Sequence, residues 1–185
     1  MDAPILAIIA VLALFVIAAP LFWWIKTGNS FKRRRIKITE SLSGIEVALT
    51  KRFDMLTKLL DVAKGFAAHE KALFAEVIAL RRGMNVGELS QAAGQLDAMA
   101  SRINVVAEAY PELRSSEVFR ELQVGIRDAE EHLQAARRLY NSNVTGFNTA
   151  LKVFPSSIVG KAMKLGEQAF FQAEEAKKAD VSMRF

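Results

Sequence analysis

The chain has no cysteine and only two histidines among its 185 residues. Without cysteine it forms no disulfide and no thiolate nucleophile, and it cannot ligate an iron–sulfur cluster or a cysteine-type zinc site. The absence of cysteine does not indicate whether the protein lies in an oxidising or a reducing compartment. A glycine-rich phosphate-binding loop is also missing from the sequence. Composition therefore says more about architecture and location than about an activity.

The two histidines do not complete a recognised metal motif. His69-Glu70 starts like H-E-x-x-H, but the position one helical turn later is Leu73. His132 has Ala129 three residues upstream, which excludes the E-x-x-H pattern of di-iron proteins. We therefore expect no metal, no cofactor and no catalytic residue in this chain.

Positive charge is concentrated at one place. Residues 1–40 carry a net charge of +4, and the other 145 residues carry only +1 of the total of +5. A nucleic-acid-binding domain should itself be basic, so binding of DNA or RNA is not expected.

The long apolar run lies near the start of the chain. Residues 3–25 are 23 uncharged positions, of which 13 are Ile, Leu, Val or Phe. A helix of this length spans a hydrocarbon core of roughly 30 Å. These aliphatic and aromatic residues favour insertion by roughly 4 to 8 kcal/mol. The run ends at Trp23 and Trp24, residues typical of a membrane interface.

A cleaved signal peptide is the alternative interpretation of this run. It requires a basic start and an apolar core of about 7–15 residues. Here the start is acidic at Asp2 and the core is longer. We therefore predict an uncleaved transmembrane anchor over residues 1–26.

A basic juxtamembrane segment is predicted over residues 27–40. The positive-inside rule places the N-terminus outside and the body in the cytoplasm. The same charges can also bind anionic lipid head groups, at about 1 kcal/mol per basic residue near the surface. The basic residues around this boundary are Lys26, Lys32, Arg33, Arg34, Arg35 and Lys37.

The body, residues 41–185, has helical periodicity throughout. It predicts an all-α fold in which a transmembrane helix is followed by an elongated antiparallel four-helix bundle with long helices. The first helix, 41–82, carries a near-heptad seam of the kind found in coiled coils, and breaks near Gly83. The second, 88–109, ends at Tyr110-Pro111.

The third helix is expected to begin after Ser115 or Ser116, either of which can cap it, and to run to about Leu151. Pro155 suits the first turn of a fourth helix. Its expected inward residues are Ile158, Ala162, Leu165 and Ala169.

Residues 134–158 combine regularly spaced aromatic and amide side chains. Tyr140, Phe147 and Phe154 recur every seven residues, and Asn141 and Asn148 recur at the same interval. One interpretation is a set of core aromatics flanked by polar groups that bond to backbone or to neighbouring helices. The other is a recognition strip for another subunit.

Two ion pairs could fix the register of the helices. One joins Arg52 to Asp54, and the other joins Arg137 to Glu130. Pairs of this kind contribute little stability when they lie on the surface.

Three blocks of sequence resemble the LemA family of membrane-anchored bacterial proteins. The matching positions in the first block are Arg52, Asp54, Gly65, Phe66, His69 and Glu70. Those in the second are Tyr110, Pro111, Leu113 and Phe119. Those in the third are Ala136, Arg137, Tyr140, Asn141, Val144, Asn148, Phe154 and Pro155. One departure is Thr57-Lys58, where the family commonly has Pro-Asn.

The resemblance implies a helical bundle that faces the cytoplasm of a bacterial inner membrane, and it brings no established catalytic residues. We expect a non-enzymatic scaffold that self-associates through its anchor and long helices and organises or shapes the membrane. Closed homo-oligomers are the default for such proteins. The alternatives are an adaptor or regulator of a membrane protease or transporter, a lipid-responsive bundle, and an enzyme.

Overall fold

This computed structural model describes residues 3–66 and 83–172, with side chains except those of 3–11 and 13. All of its regular elements are α-helices, and no strand occurs in the described part of the chain. The all-α prediction is confirmed. The helices are α1 (Ala3–Phe66), α2 (Val86–Ala109), α3 (Pro111–Ser115), α4 (Glu117–Lys152) and α5 (Ser156–Ala162).

Helix α1 runs without a break from the uncharged segment through the basic one, and Pro20 lies inside it. Proline removes only one backbone hydrogen bond of a helix, and here it does not end the element. Within the described residues, no helix carries an apolar stretch long enough to cross a membrane. The anchor expected over residues 1–26 therefore stays a prediction.

The described residues form two compact units. The first takes in residues 3–39 and 143–168. The second takes in residues 40–66, 83–142 and 169–172. Each unit thus contains part of α1 and part of α4.

The first unit is centred on an aromatic pair. Phe31 of α1 packs edge-on against Phe147 of α4, with ring centroids 5.9 Å apart. Arg34 Nη1 donates a hydrogen bond to Gly146 O at 2.9 Å, while Asn143 Nδ2 donates to Lys37 O at 3.3 Å. Because the α4 partners move backwards as α1 advances, the two helices are antiparallel in this unit.

The second unit contains α1, α2 and α4. Lys51 of α1 pairs with Asp128 of α4, and four residues later Met55 lies beside Gly125. These successive contacts make α1 and α4 antiparallel here as well.

The direction of α2 follows from a second set of contacts. Arg52 binds both Asp97 of α2 and Glu130 of α4, so these two carboxylates lie at one level. Seven residues further along α2, Asn104 accepts a hydrogen bond from Gln123, which lies seven residues earlier on α4. Helix α2 is therefore antiparallel to α4 and runs in the same direction as α1. The sequence predicted an antiparallel bundle, and this prediction is wrong for α2. Periodicity identifies the buried face of a helix but not the direction in which the helix runs.

Helix α2 begins two residues earlier than predicted because of a capping box. Asn85 Oδ1 accepts from the Glu88 amide at 3.0 Å, while Glu88 Oε2 accepts from the Asn85 amide at 2.7 Å. These bonds satisfy two donors that the first turn leaves without partners. Just before the cap, Gly83 has a φ of +78°, which only glycine adopts readily.

The fourth long helix that the sequence predicts is not formed. Helix α5 ends at Ala162, because Lys164 takes a left-handed φ of 52° and the Leu165 amide bonds back to Gly160 O. The prediction of which residues face inward was also wrong. Val159 is buried, whereas three of the residues that were expected to face inward are exposed, namely Ile158, Ala162 and Ala169. Pro155 precedes the first turn of α5 instead of lying in it.

The buried face of α4 gives a direct test of the fold. Val144 is 0% exposed and Val124, on the same helix, is 56% exposed. We expect Val144→Ala to lower the free energy of unfolding by about 2 kcal/mol, since it removes buried methyl groups. Val124→Ala should change it by less than about 0.5 kcal/mol. Urea denaturation of the full-length protein in mild detergent measures both, and equal losses would contradict the assignment of the core.

Candidate functional site

Helix α4 carries a strip of polar side chains, Arg137, Tyr140, Asn141 and Asn148, called the polar strip below. Intervals of three, four and seven residues bring these positions to neighbouring places on one helix face. The chain that follows α5, residues 165–172, has no regular secondary structure. Its backbone groups need hydrogen-bond partners from elsewhere wherever they are buried.

In the first unit, Asn148 supplies such partners to Gln168. Its Nδ2 donates to Gln168 O at 2.9 Å, and its Oδ1 accepts from the Gln168 amide at 2.9 Å. Asn148 is buried. Its side-chain amide both donates to and accepts from the backbone of Gln168, as the backbone of a neighbouring β-strand does. Both polar ends of this side chain are therefore used within the chain.

In the second unit, Asn141 binds Phe171 by the same pair of bonds. Nδ2 donates to Phe171 O at 3.1 Å, and Oδ1 accepts from the Phe171 amide at 2.9 Å. Tyr140 donates its hydroxyl hydrogen to Ala169 O at 2.9 Å. The side chains of Tyr140 and Phe171 are both buried.

Burial raises the pKa of Tyr140 above that of a free phenol. The phenol is therefore neutral and remains a hydrogen-bond donor at physiological pH. Its contribution to stability is fully present below the unfolded pKa of about 10 and is lost as pH rises through the higher folded pKa.

Arg137 lies over the Phe171 ring, with its guanidinium carbon 5.0 Å from the ring centroid. Burial lowers the pKa of Arg137, and the charge of Glu130 opposes that shift. Arginine remains protonated in proteins, so a cation–π contact forms. The ion pair predicted between Arg137 and Glu130 is replaced by one at 3.0 Å from Arg52 to Glu130.

Arg52 is the charged group most deeply enclosed in the described second unit, with 5% of its surface exposed. It pairs with Asp97 at 2.6 Å and with Glu130 at 3.0 Å. The partner expected from the sequence, Asp54, is exposed. Residues two apart on a helix point in different directions, so Asp54 cannot face Arg52.

The remaining predicted residues do not join these contacts. Tyr110 is half-buried between α2 and α3, while Phe154 and Pro155 are exposed. His69 and Glu70 lie outside the described residues. Trp23 is half-buried and Trp24 is exposed. All six basic residues of the predicted interface are exposed, namely Lys26, Lys32, Arg33, Arg34, Arg35 and Lys37.

Sequence reasoning missed the partners of the polar strip and of Arg52, namely Gln168, Ala169, Phe171 and Asp97. Of these, only Asp97 gave a signal, as a carboxylate next to Leu96 on the apolar stripe of α2. In the part of the chain that the structure describes, no three His, Asp or Glu residues are grouped so as to hold a metal ion.

The sequence of this chain is similar to that of one known protein family. The model of the LemA family matches residues 41–185. The chain belongs to the LemA family. It is also similar to a protein of Metamycoplasma hominis named Protein LemA, with 25% identity over 174 residues, which cover 90% of this chain and 80% of that protein. The polar strip and Arg52 of this LemA family member both lie in the matched region, and neither has the geometry of a catalytic centre.

The buried charge of this LemA family member gives a prediction for stability. Arg52→Met should cost about 3 kcal/mol, because it leaves Asp97 and Glu130 partly buried without their cation. Lys51→Met is the matched control: Lys51 and Asp128 are each more than a third exposed, so its loss should cost much less than the loss of Arg52. Urea denaturation compares the two. Adding Asp97→Asn and Glu130→Gln to Arg52→Met should recover part of the loss. Equal losses in Arg52→Met and Lys51→Met would contradict a stabilising role for the buried pairing of Arg52 with Asp97 and Glu130.

The polar strip gives a second prediction. Asn141→Asp should lower the free energy of unfolding by about 1–3 kcal/mol, because a carboxylate cannot donate to Phe171 O. Chymotrypsin should then cleave faster after Phe170 or Phe171. In the control, Asn104→Asp, the new carboxylate can still accept from Gln123. Equal effects of the two substitutions on cleavage would count against the strip.

Proposed function

We propose that this LemA family protein is a non-enzymatic, single-pass protein of the bacterial inner membrane, with its N-terminus outside and its helical domain in the cytoplasm. In this proposal it self-associates and acts as a scaffold that organises or shapes the membrane. The observation that carries the proposal is the continuity of α1, which joins an uncharged segment to a basic one and to the buried Phe31 without any linker.

The uncharged segment of α1 supports an anchor because most of its described large apolar side chains, from Leu12 to Ile25, have no cover in the first unit. Several of its large apolar residues are 54–71% exposed. These are Leu12, Leu14, Phe15, Val16, Ile17, Leu21, Phe22 and Ile25. A contiguous apolar surface of this kind is unfavourable in water and indicates a membrane or a protein partner. A helix suits lipid because its backbone groups are bonded internally.

The exposed basic residues between Lys26 and Lys37 support the orientation. They follow the uncharged segment directly, where the positive-inside rule expects cytoplasmic charge. Each contributes about 1 kcal/mol of attraction to anionic lipid when it lies near the surface. Anionic head groups are therefore the proposed lipid partner of this segment.

Self-association through the anchor is favoured over an adaptor that docks through the polar strip. Asn141 and Asn148 are already bonded to Phe171 and Gln168, so this strip is covered by the chain itself. The anchor, in contrast, exposes Ala18 and Ala19. Small residues let membrane helices approach closely.

The proposal is tested by the mass of the full-length protein in mild detergent, measured by mass photometry with negative-stain images. We expect a uniform symmetric particle for the natural sequence. Enlarging Ala18 and Ala19 to Leu should shift it to smaller species, because the added side chains prevent close approach. The control Ile17→Leu, a change without added volume, should not.

A monomer of the natural sequence would contradict the scaffold. A stoichiometric second protein in the preparation would favour the alternative, an adaptor or regulator of a membrane protease or transporter.

A further inference from the structure

The first unit contains a pocket of about 340 Å³ between α1 and the corner where α4 leads into α5. Its lining combines two cations, three hydroxyl groups and two aromatic rings. The residues that line it are Trp23, Lys26, Thr27, Ser30, Phe31, Arg34, Ala150 and Ser156. None of these lining residues is a carboxylate. Its chemistry is therefore that of a site for an anion.

The pocket lies where a membrane surface would be. It begins at Trp23, near the end of the uncharged run, and continues to Arg34. Lys26 and Arg34 are eight residues apart on α1, which is about 12 Å along a helix. A polar head-group layer is about 5–8 Å thick on each side of the hydrocarbon core, so the pocket reaches across it.

An exposed apolar corner lies beside the pocket. Phe154 is 76% exposed, and it is flanked in sequence by Ala150 and Ser156, which both line the pocket. Val153 and Ile158 in the same corner are also exposed. On α1, Phe22 and Ile25 are exposed next to the lining residues Trp23 and Lys26. A site for a free anion needs no such apolar rim, whereas a lipid needs one for its acyl chains.

Arg34 is held in place by a hydrogen bond to α4. Its Nη1 donates to Gly146 O at 2.9 Å, which fixes the guanidinium against α4. A guanidinium has five N–H donors in a planar fork and suits a phosphate group. Lys26 is exposed at the other end of the pocket and adds a second cation.

We propose that this pocket binds one anionic phospholipid, with its phosphate between Lys26 and Arg34 and its acyl chains towards Phe154 and Phe22. The proposal rests on the membrane location proposed above and names the lipid site of that location. Phe154 then rests in the interfacial layer beside the anchor.

Native mass spectrometry of the full-length protein in mild detergent tests the site, with added phosphatidylglycerol or phosphatidylcholine as the probe. We expect retention of one phosphatidylglycerol in preference to phosphatidylcholine. Lys26→Gln should reduce that retention about tenfold, the size expected for the loss of a charge-assisted hydrogen bond. Lys58→Gln, the same change at an exposed lysine of α1 outside both the lining and the basic segment, should change it less than about twofold. Equal losses in the two variants would overturn the pocket in favour of diffuse attraction.

The apolar corner has its own pair of variants. Phe154→Ser should weaken retention, while Ile36→Ser, at an exposed position of α1 outside the lining, should not. If Phe154→Ser instead reduces the particle mass and leaves lipid retention unchanged, the corner is a contact with a second copy and its role in lipid binding is overturned.

Inorganic phosphate separates the two sources of the anion. Inorganic phosphate alone could raise the unfolding temperature of the natural sequence but not that of Lys26→Gln. If it does so and no phospholipid is retained, the pocket is a site for a soluble anion and the proposal fails. Cell fractionation separates this failure from that of the anchor. A protein found in the membrane fraction without selective lipid retention overturns only the pocket, whereas a protein absent from that fraction overturns the anchor itself.

Discussion

A guanidinium removed from water must be neutralised where it lies, and this constraint organises the second unit. Arg52 is almost completely buried, and carboxylates from two other helices reach it, Asp97 from α2 and Glu130 from α4. Misalignment of either helix would leave a charge buried without a partner, which is strongly unfavourable. The pair of contacts thus fixes the level at which α2 and α4 meet α1, while the directions follow from the contacts of Gln123 with Asn104 and of Met55 with Gly125.

The polar strip meets a similar requirement for a segment without regular structure. In the first unit the side-chain amide of Asn148 bonds to both backbone groups of Gln168, and in the second unit that of Asn141 does the same for Phe171. The asparagines of the polar strip are therefore explained by their role in folding. That leaves the outer surfaces, above all the apolar and basic faces of α1, as the parts of this LemA family member with an unexplained composition.

Much of the architecture could be predicted from sequence alone, for identifiable reasons. The end of α2 was found because Tyr110-Pro111 cannot continue a helix, and the inward face of α4 because its apolar period is regular. The direction of α2 could not be found, since it depends on contacts between residues far apart in sequence, Arg52 with Asp97 and Gln123 with Asn104. The shortness of α5 was missed because the segment after it obtains its hydrogen bonds from Asn141 and Asn148, side chains of another helix, and periodicity does not reveal such partners.

We propose that the uncharged part of α1 lies in lipid and the helical domain in the cytoplasm. The absence of cysteine allows a clean measurement: labelling of single cysteines in cells with a membrane-impermeant maleimide. Phe15→Cys should stay unlabelled until detergent is added, and Lys58→Cys should react only once the cells are broken open. If Phe15→Cys reacts in broken cells as fast as Lys58→Cys, the segment lies in water and the account is contradicted.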